Sequence, residues 1–169
     1  VHGANYLALK TDADVRIRAN RIADAGVWAV AILAVLTVSA IPFVQPALWQ
    51  RYAAHPVGSV LPLTAASALL TAWYCRRSRR EGAVFLSWSL FILGIVGSVA
   101  WGLFPNLLIA TEDSIYSLTI YNSAASSYGL HVGLVWFGVG ISLVLAYTIW
   151  IYVSFRGKVD RVLFEEGYE

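Results

Sequence analysis

The sequence has no methionine, a single cysteine, three histidines and few charges, with ten acidic and twelve basic residues among 169. Each scarcity excludes a class of protein. Cys75 alone makes no internal disulfide, so a secreted disulfide scaffold is ruled out. The scattered histidines come without a His/Cys cluster, a C-x-x-C-H string or a methionine, and so offer no evident ligand set for haem or metal. A net charge of +2 leaves no electrostatic footprint for nucleic acid. There is no Gly-rich phosphate loop, nucleophile elbow or nucleotide fingerprint. The charged fraction is 13% and the hydrophobic fraction 59%. A soluble domain carries about 25% charged residues, so this chain is too apolar for water and is not disordered.

The few charges are also segregated. Residues 25–50, 52–75, 82–111 and 114–155 contain no Asp, Glu, Lys or Arg. At 1.5 Å per residue, ~20 apolar residues cross the ~30 Å hydrocarbon core. The sequence therefore predicts an all-α, polytopic membrane protein with four transmembrane helices at 25–44, 57–75, 82–104 and 130–153. Residues 11–24 read as a loop, 105–129 as a second, longer loop, and 154–169 as a tail. Val1–Leu9 is too short to span and reads, within residues 1–10, as the end of a helix begun upstream, which would make the chain a C-terminal half. The alternative is a short amphipathic leader on a small intact protein.

Orientation follows from Lys and Arg in the connections. Lys10, Arg16, Arg18 and Arg21 precede the first span, Arg76, Arg77, Arg79 and Arg80 separate the second and third, and Arg156, Lys158 and Arg161 follow the fourth. Four crossings bring all three groups to one side, leaving only Arg51 on the other. Both ends of the chain and residues 11–24 are accordingly expected in the cytoplasm, and 105–129 outside. The arginines at 76–80 can also contact anionic lipid, although their topogenic role already accounts for them.

Gly94, Ser98 and Gly102 recur every four residues in the third span, and Gly129 and Gly133 repeat the interval in the fourth. Small residues at this spacing let backbones approach, so a seam between these two helices is expected. No span carries an ionisable residue in its core, unlike most ion-coupled transporters. His55 and His131 fit interfacial hydrogen bonding better than a ligand pair. Cys75 reads as a small residue at the membrane surface, and Ser126 or Ser127 as the cap of the fourth helix.

The long loop is the least generic part. Phe104-Pro105 is followed by Tyr116-Ser117-Leu118-Thr119-Ile120 and then by Asn122-Ser123-Ala124-Ala125-Ser126-Ser127. Together with Gly3–Thr11 (G-A-N-Y-L-A-L-K-T) and the exit Phe155–Val159 (F-R-G-K-V), these strings resemble subunit II of the cytochrome bd quinol oxidases, including the cyanide-insensitive type. The motif residues are Phe104, Pro105, Asn122, Ser126, Ser127, Arg156 and Gly157. The resemblance implies an accessory, haem-free subunit in the bacterial inner membrane, paired with a subunit I that holds haem b and haem d and carries out quinol oxidation and oxygen reduction, forming a proton gradient. It also implies that the pair can carry a structural quinone and a small third subunit. No catalytic residue and no metal ligand is carried over to this chain. Two other readings stand beside it: half of a repeat-built transporter, or a membrane scaffold or assembly protein.

Overall fold

A computed structural model describes residues 1–110 and 113–157. Residues 158–169 of the tail, Lys158 and Arg161 among them, lie outside the described residues, and with them the last two positions of the F-R-G-K-V exit. The described chain divides into two compact units, Val1–Phe104 and Pro105–Gly157.

In the first unit, α1 (His2–Lys10) ends where the Thr11 amide and hydroxyl both close on the Leu7 carbonyl. After a break of two residues comes α2 (Ala13–Val44), 32 residues long. The expected loop at 11–24 is therefore reduced to Thr11 and Asp12, and from Ala13 the chain is already helical. The reason is that the polar side chains here find partners that a helix can reach. Arg16 pairs with Asp12 one turn back and with Glu81 at 2.6 Å, while Asp24 pairs with Arg76. The uncharged part of α2, residues 25–44, is by itself long enough to cross a bilayer.

Gln45 interrupts the helix, and Pro46 opens α3 (Pro46–Ala54) at a position where its missing N–H costs nothing. A 3-10 turn at Pro56–Ser59 leads into α4 (Val60–Arg77), whose first turn accommodates Pro62. The connection between the first two spans is thus mostly helical, not open loop. Finally α5 (Glu81–Leu103) starts with an acidic residue at its positive end and stops ahead of Phe104-Pro105.

α4 and α5 run antiparallel and pack along their length. Ala65 lies against Gly94, Leu61 against Gly97, and Gly58 at the head of α4 against Trp101. At the opposite end Ala72, Val84 and Trp88 form a buried cluster, flanked by Val27, Leu69 and Phe91. The small residues of α5 are therefore taken up by α4, and Gly102 by Leu48 and Tyr52 of α3. The spacing marks which residues of α5 allow close approach, and within this unit α4 and α3 are the helices that approach them. α1 lays His2 and Tyr6 over Phe85, with ring centroids 4.5 and 5.7 Å apart. Of the eight buried hydrophobic residues, six are alanines: Ala8, Ala19, Ala23, Ala65, Ala68 and Ala72. The core of this unit is a contact between thin helix faces.

The second unit holds a small hairpin and one long helix. β1 (Asn106–Leu108) pairs antiparallel with β2 (Leu118–Thr119), with an irregularity in register between its two pairs. α6 (Ser127–Ser154) has 28 residues and no buried side chain. A helix that is apolar all round belongs in a bilayer or the core of a larger assembly. The expected loop 105–129 thus contains a hairpin and yields Ser127–Gly129 to the helix. Among the described residues four helical segments are long and apolar enough to cross a membrane: Asp14–Val44, Pro56–Arg77, Glu81–Leu103 and Ser127–Ser154. The fold is that of an all-α, multi-pass membrane protein, as the charge-free runs require.

Candidate functional site

Most of the motif residues that sequence singles out have a local structural task. Phe104 ends α5 in extended backbone, the conformation that a following proline enforces. Its ring lies 5.3 Å from the Arg51 guanidinium, which also sits 5.6 Å from the Trp101 ring. Arg51, the one basic residue expected outside, is thereby held on aromatic faces. In the second unit, the Pro105 carbonyl accepts from the Ile120 amide and closes the hairpin.

Asn122 holds the loop together. Its Oδ1 accepts from the Thr119 amide at 2.7 Å, and its Nδ2 donates to the Ser117 carbonyl at 2.9 Å. The Thr119 hydroxyl accepts in turn from the Tyr121 and Asn122 amides, and Ser117, itself buried, accepts from the Ala110 amide. A residue with both donor and acceptor on one planar amide is needed for this bracing, which explains an asparagine here. Ser126 is the N-cap of α6, accepting from the Gly129 amide, and the Ser127 carbonyl is bonded to His131 Nδ1 at 2.7 Å. At the far end Arg156 is exposed and Gly157 has φ +110°, a left-handed conformation suited to glycine after a helix. Within the second unit Pro105 and Asn122 thus brace the hairpin, and Ser126 and Ser127 hold the first turn of α6.

The more elaborate cluster lies in the first unit, where α1, α2, α4 and α5 meet around Arg76. The Arg76 side chain is 19% exposed. Its Nη1 donates to Asn5 Oδ1 at 3.0 Å, its Nη2 to the Asn20 carbonyl at 2.6 Å and to Asn20 Oδ1 at 3.2 Å, and its Nε to Asp24. A planar fork with several fixed donors can tie three helices at once, where an ammonium could not. Beside it, Arg77 stacks over Trp73 at 4.0 Å. The chain then turns through a Schellman motif: the Arg79 amide donates to the Arg76 carbonyl and the Arg80 amide to that of Cys75. Arg79 has φ 53° in the position that glycine normally takes. These groups line a cavity of about 890 Å³.

Sequence reasoning treated these arginines as one topogenic block and missed that Arg76 is folded inward. The usable signal was Asn5, an amide in an otherwise uncharged stretch; Asn20, set among Arg16, Arg18, Arg21 and Asp24, carried none. The histidines are dispersed: His2 is stacked on Phe85, His55 is exposed, and His131 is bonded within its own helix. Among the described residues no group of three or more His, Cys, Asp or Glu could hold a metal ion. Cys75 is a half-buried free thiol beside the Ala72 cluster.

The chain is 27% identical to the "Probable cytochrome oxidase subunit 2" of Haemophilus influenzae, over 94% of its own length and 49% of that protein's. It is 26% identical to the "Cytochrome bd ubiquinol oxidase subunit 2" of Bacillus subtilis, over 95% of its length and 46% of that protein's. The chain therefore spans about half the length of the curated relatives it matches. The family model for Cytochrome bd terminal oxidase subunit II matches residues 1–155, and the chain belongs to that family.

Proposed function

We propose that this chain forms half of the accessory subunit of a quinol:oxygen oxidoreductase of the cytochrome bd type, embedded in the bacterial inner membrane. The observation that carries this reading is the family match over residues 1–155. In this reading haem b and haem d reside in the partner subunit I, where quinol is oxidised and oxygen reduced. This chain supplies a rigid apolar wall to that partner, and the assembled pair can hold a structural quinone and a small third subunit. The division of labour fits side chains that brace loops and helices instead of converging on a reacting group. In this reading both ends of the chain and residues 11–24 lie in the cytoplasm, with Arg51 and the Asn122 loop outside, which the grouping of Lys and Arg supports.

The test is to purify the complex that contains this chain and record its reduced-minus-oxidised spectrum together with quinol-dependent oxygen uptake. Haem bands and uptake in the complex, with no haem retained by this subunit after separation, are the expected result. A complex with neither signal would remove the oxidase reading and leave the transporter or scaffold alternatives. Haem that stays with the separated subunit would overturn the assignment of haem to the partner.

A further inference from the structure

The cavity beside Arg76 has a chemistry that the bracing role does not use. It is lined by five arginines, Arg16, Arg76, Arg77, Arg79 and Arg80, against two carboxylates, Asp24 and Glu81. Each carboxylate is already paired, Asp24 with Arg76 and Glu81 with Arg16. The lining therefore carries three positive charges in excess. Among the described residues Arg79 and Arg80 have no ion-pair partner, and Arg77 has only the face of Trp73. A second observation is independent of charge. Asn5 is 3% exposed, lines the same cavity, gives its Oδ1 to Arg76, and leaves its buried Nδ2 without an acceptor. A buried amide donor left unpaired is costly, and what it lacks is an oxygen acceptor.

The rest of the lining is apolar. Val27, Val84 and the indoles of Trp28 and Trp73 continue the cavity alongside helices long enough to cross the bilayer. Cationic groups at the end of a spanning helix, followed inward by tryptophans and aliphatic side chains, reproduce the order of a phospholipid from headgroup to acyl chain.

We propose that this cavity binds the phosphate of an anionic phospholipid, with Arg77, Arg79 and Arg80 around the phosphate, Asn5 Nδ2 donating to a headgroup oxygen, and the first acyl methylenes against Trp28 and Trp73. Arg76, committed to Asn5, Asn20 and Asp24, holds the frame and is not a ligand. Guanidinium suits this task because its planar donors match phosphate oxygens. The site is separate from the oxidase reading and stands or falls without it.

The test uses the full subunit in its purified complex, delipidated in neutral detergent. Thermal midpoints are followed while phosphatidylglycerol, phosphatidylcholine or inorganic phosphate is added, and retained lipid is counted by native mass spectrometry. The variant is Arg79→Gly with Arg80→Gln, which removes two charges while giving the turn the residue its geometry favours. Its midpoint in lipid-free detergent reports that it is folded. Phosphatidylglycerol is expected to raise the wild-type midpoint more than phosphatidylcholine does, and the variant to need on the order of 10- to 30-fold more of it. An unchanged response in the variant overturns the site. Phosphatidylcholine acting as well as phosphatidylglycerol overturns it too, since acyl packing would then suffice. Inorganic phosphate competing at equal concentration would make the ligand a soluble anion and overturn the lipid assignment. A variant that keeps its lipid but loses partner subunits would identify the arginines as a protein interface, which also overturns it.

Discussion

Gly94 of α5 stands so close to Ala65 of α4 that a methyl group on the glycine would lie 2.9 Å from both the Cβ and the amide nitrogen of Ala65. Backbone cannot yield there without parting the helices. Gly94→Ala should therefore destabilise the bundle by about 1–3 kcal/mol, seen as a lower thermal midpoint of the purified complex in detergent. Gly82→Ala, where an added methyl meets nothing within 4 Å, should leave the midpoint unchanged or slightly higher. Equal effects at the two positions would contradict the α4–α5 contact.

Arg76→Lys preserves the charge and should still cost about 2–3 kcal/mol, because one ammonium cannot serve Asn5 and Asn20 together. Asp24 is 63% exposed in its side chain, so its ion pair is screened by water and contributes little. Asp24→Asn should accordingly change the midpoint much less than Arg76→Lys. The reverse order would place the stability in the ion pair and not in the amides.

Arg79 has a conformation that costs a residue with a Cβ about 1 kcal/mol or more. Arg79→Gly alone should raise stability in lipid-free detergent by about 1 kcal/mol, whereas Arg79→Val should lower it. Denaturation in detergent without added lipid separates these two outcomes by their sign.

Asn122→Ala removes the bonds to the Thr119 amide and the Ser117 carbonyl. Each bond is worth about 1 kcal/mol, so hydrogen exchange at Thr119 should accelerate roughly fivefold to tenfold. Asn122→Asp keeps the acceptor for Thr119 and loses the donor to Ser117, and should fall between. In the complex the alanine variant should assemble less well while the oxygen affinity of what assembles is unchanged. Full assembly with altered oxygen affinity would assign the loop a role in oxygen handling.

The spans were legible because a run of twenty residues without charge has one physical outcome: the runs at 52–75 and 114–155 end within two residues of the ends of α4 and α6, and the run at 82–111 opens one residue into α5. Ser126 as a cap was legible for the same local reason. The helical course of residues 13–24 was hidden, because its polar residues are satisfied by Glu81 and Arg76, more than fifty positions away. The inward turn of Arg76 was hidden likewise: nothing local separates it from Arg77, and only the approach of α1 and α2 selects it. Gly94 and Gly102 announced close packing, but a glycine carries no mark of its partner, and α4 and α3 supplied it.

A core made almost wholly of alanine and glycine inverts the usual rule of which positions tolerate change. In a soluble protein the large buried residues are fixed and the small surface ones drift. Here Leu, Ile, Val and Phe face outward along the helices, and any of them can stand in for another there. Ala65, Ala68, Ala72 and Gly94 lie where a single added methylene has nowhere to go. A saturation library of this chain should therefore read as a negative of a soluble domain, with permissive bulky positions and strict small ones. Distant relatives would keep the shape of the helices by keeping their narrowest residues.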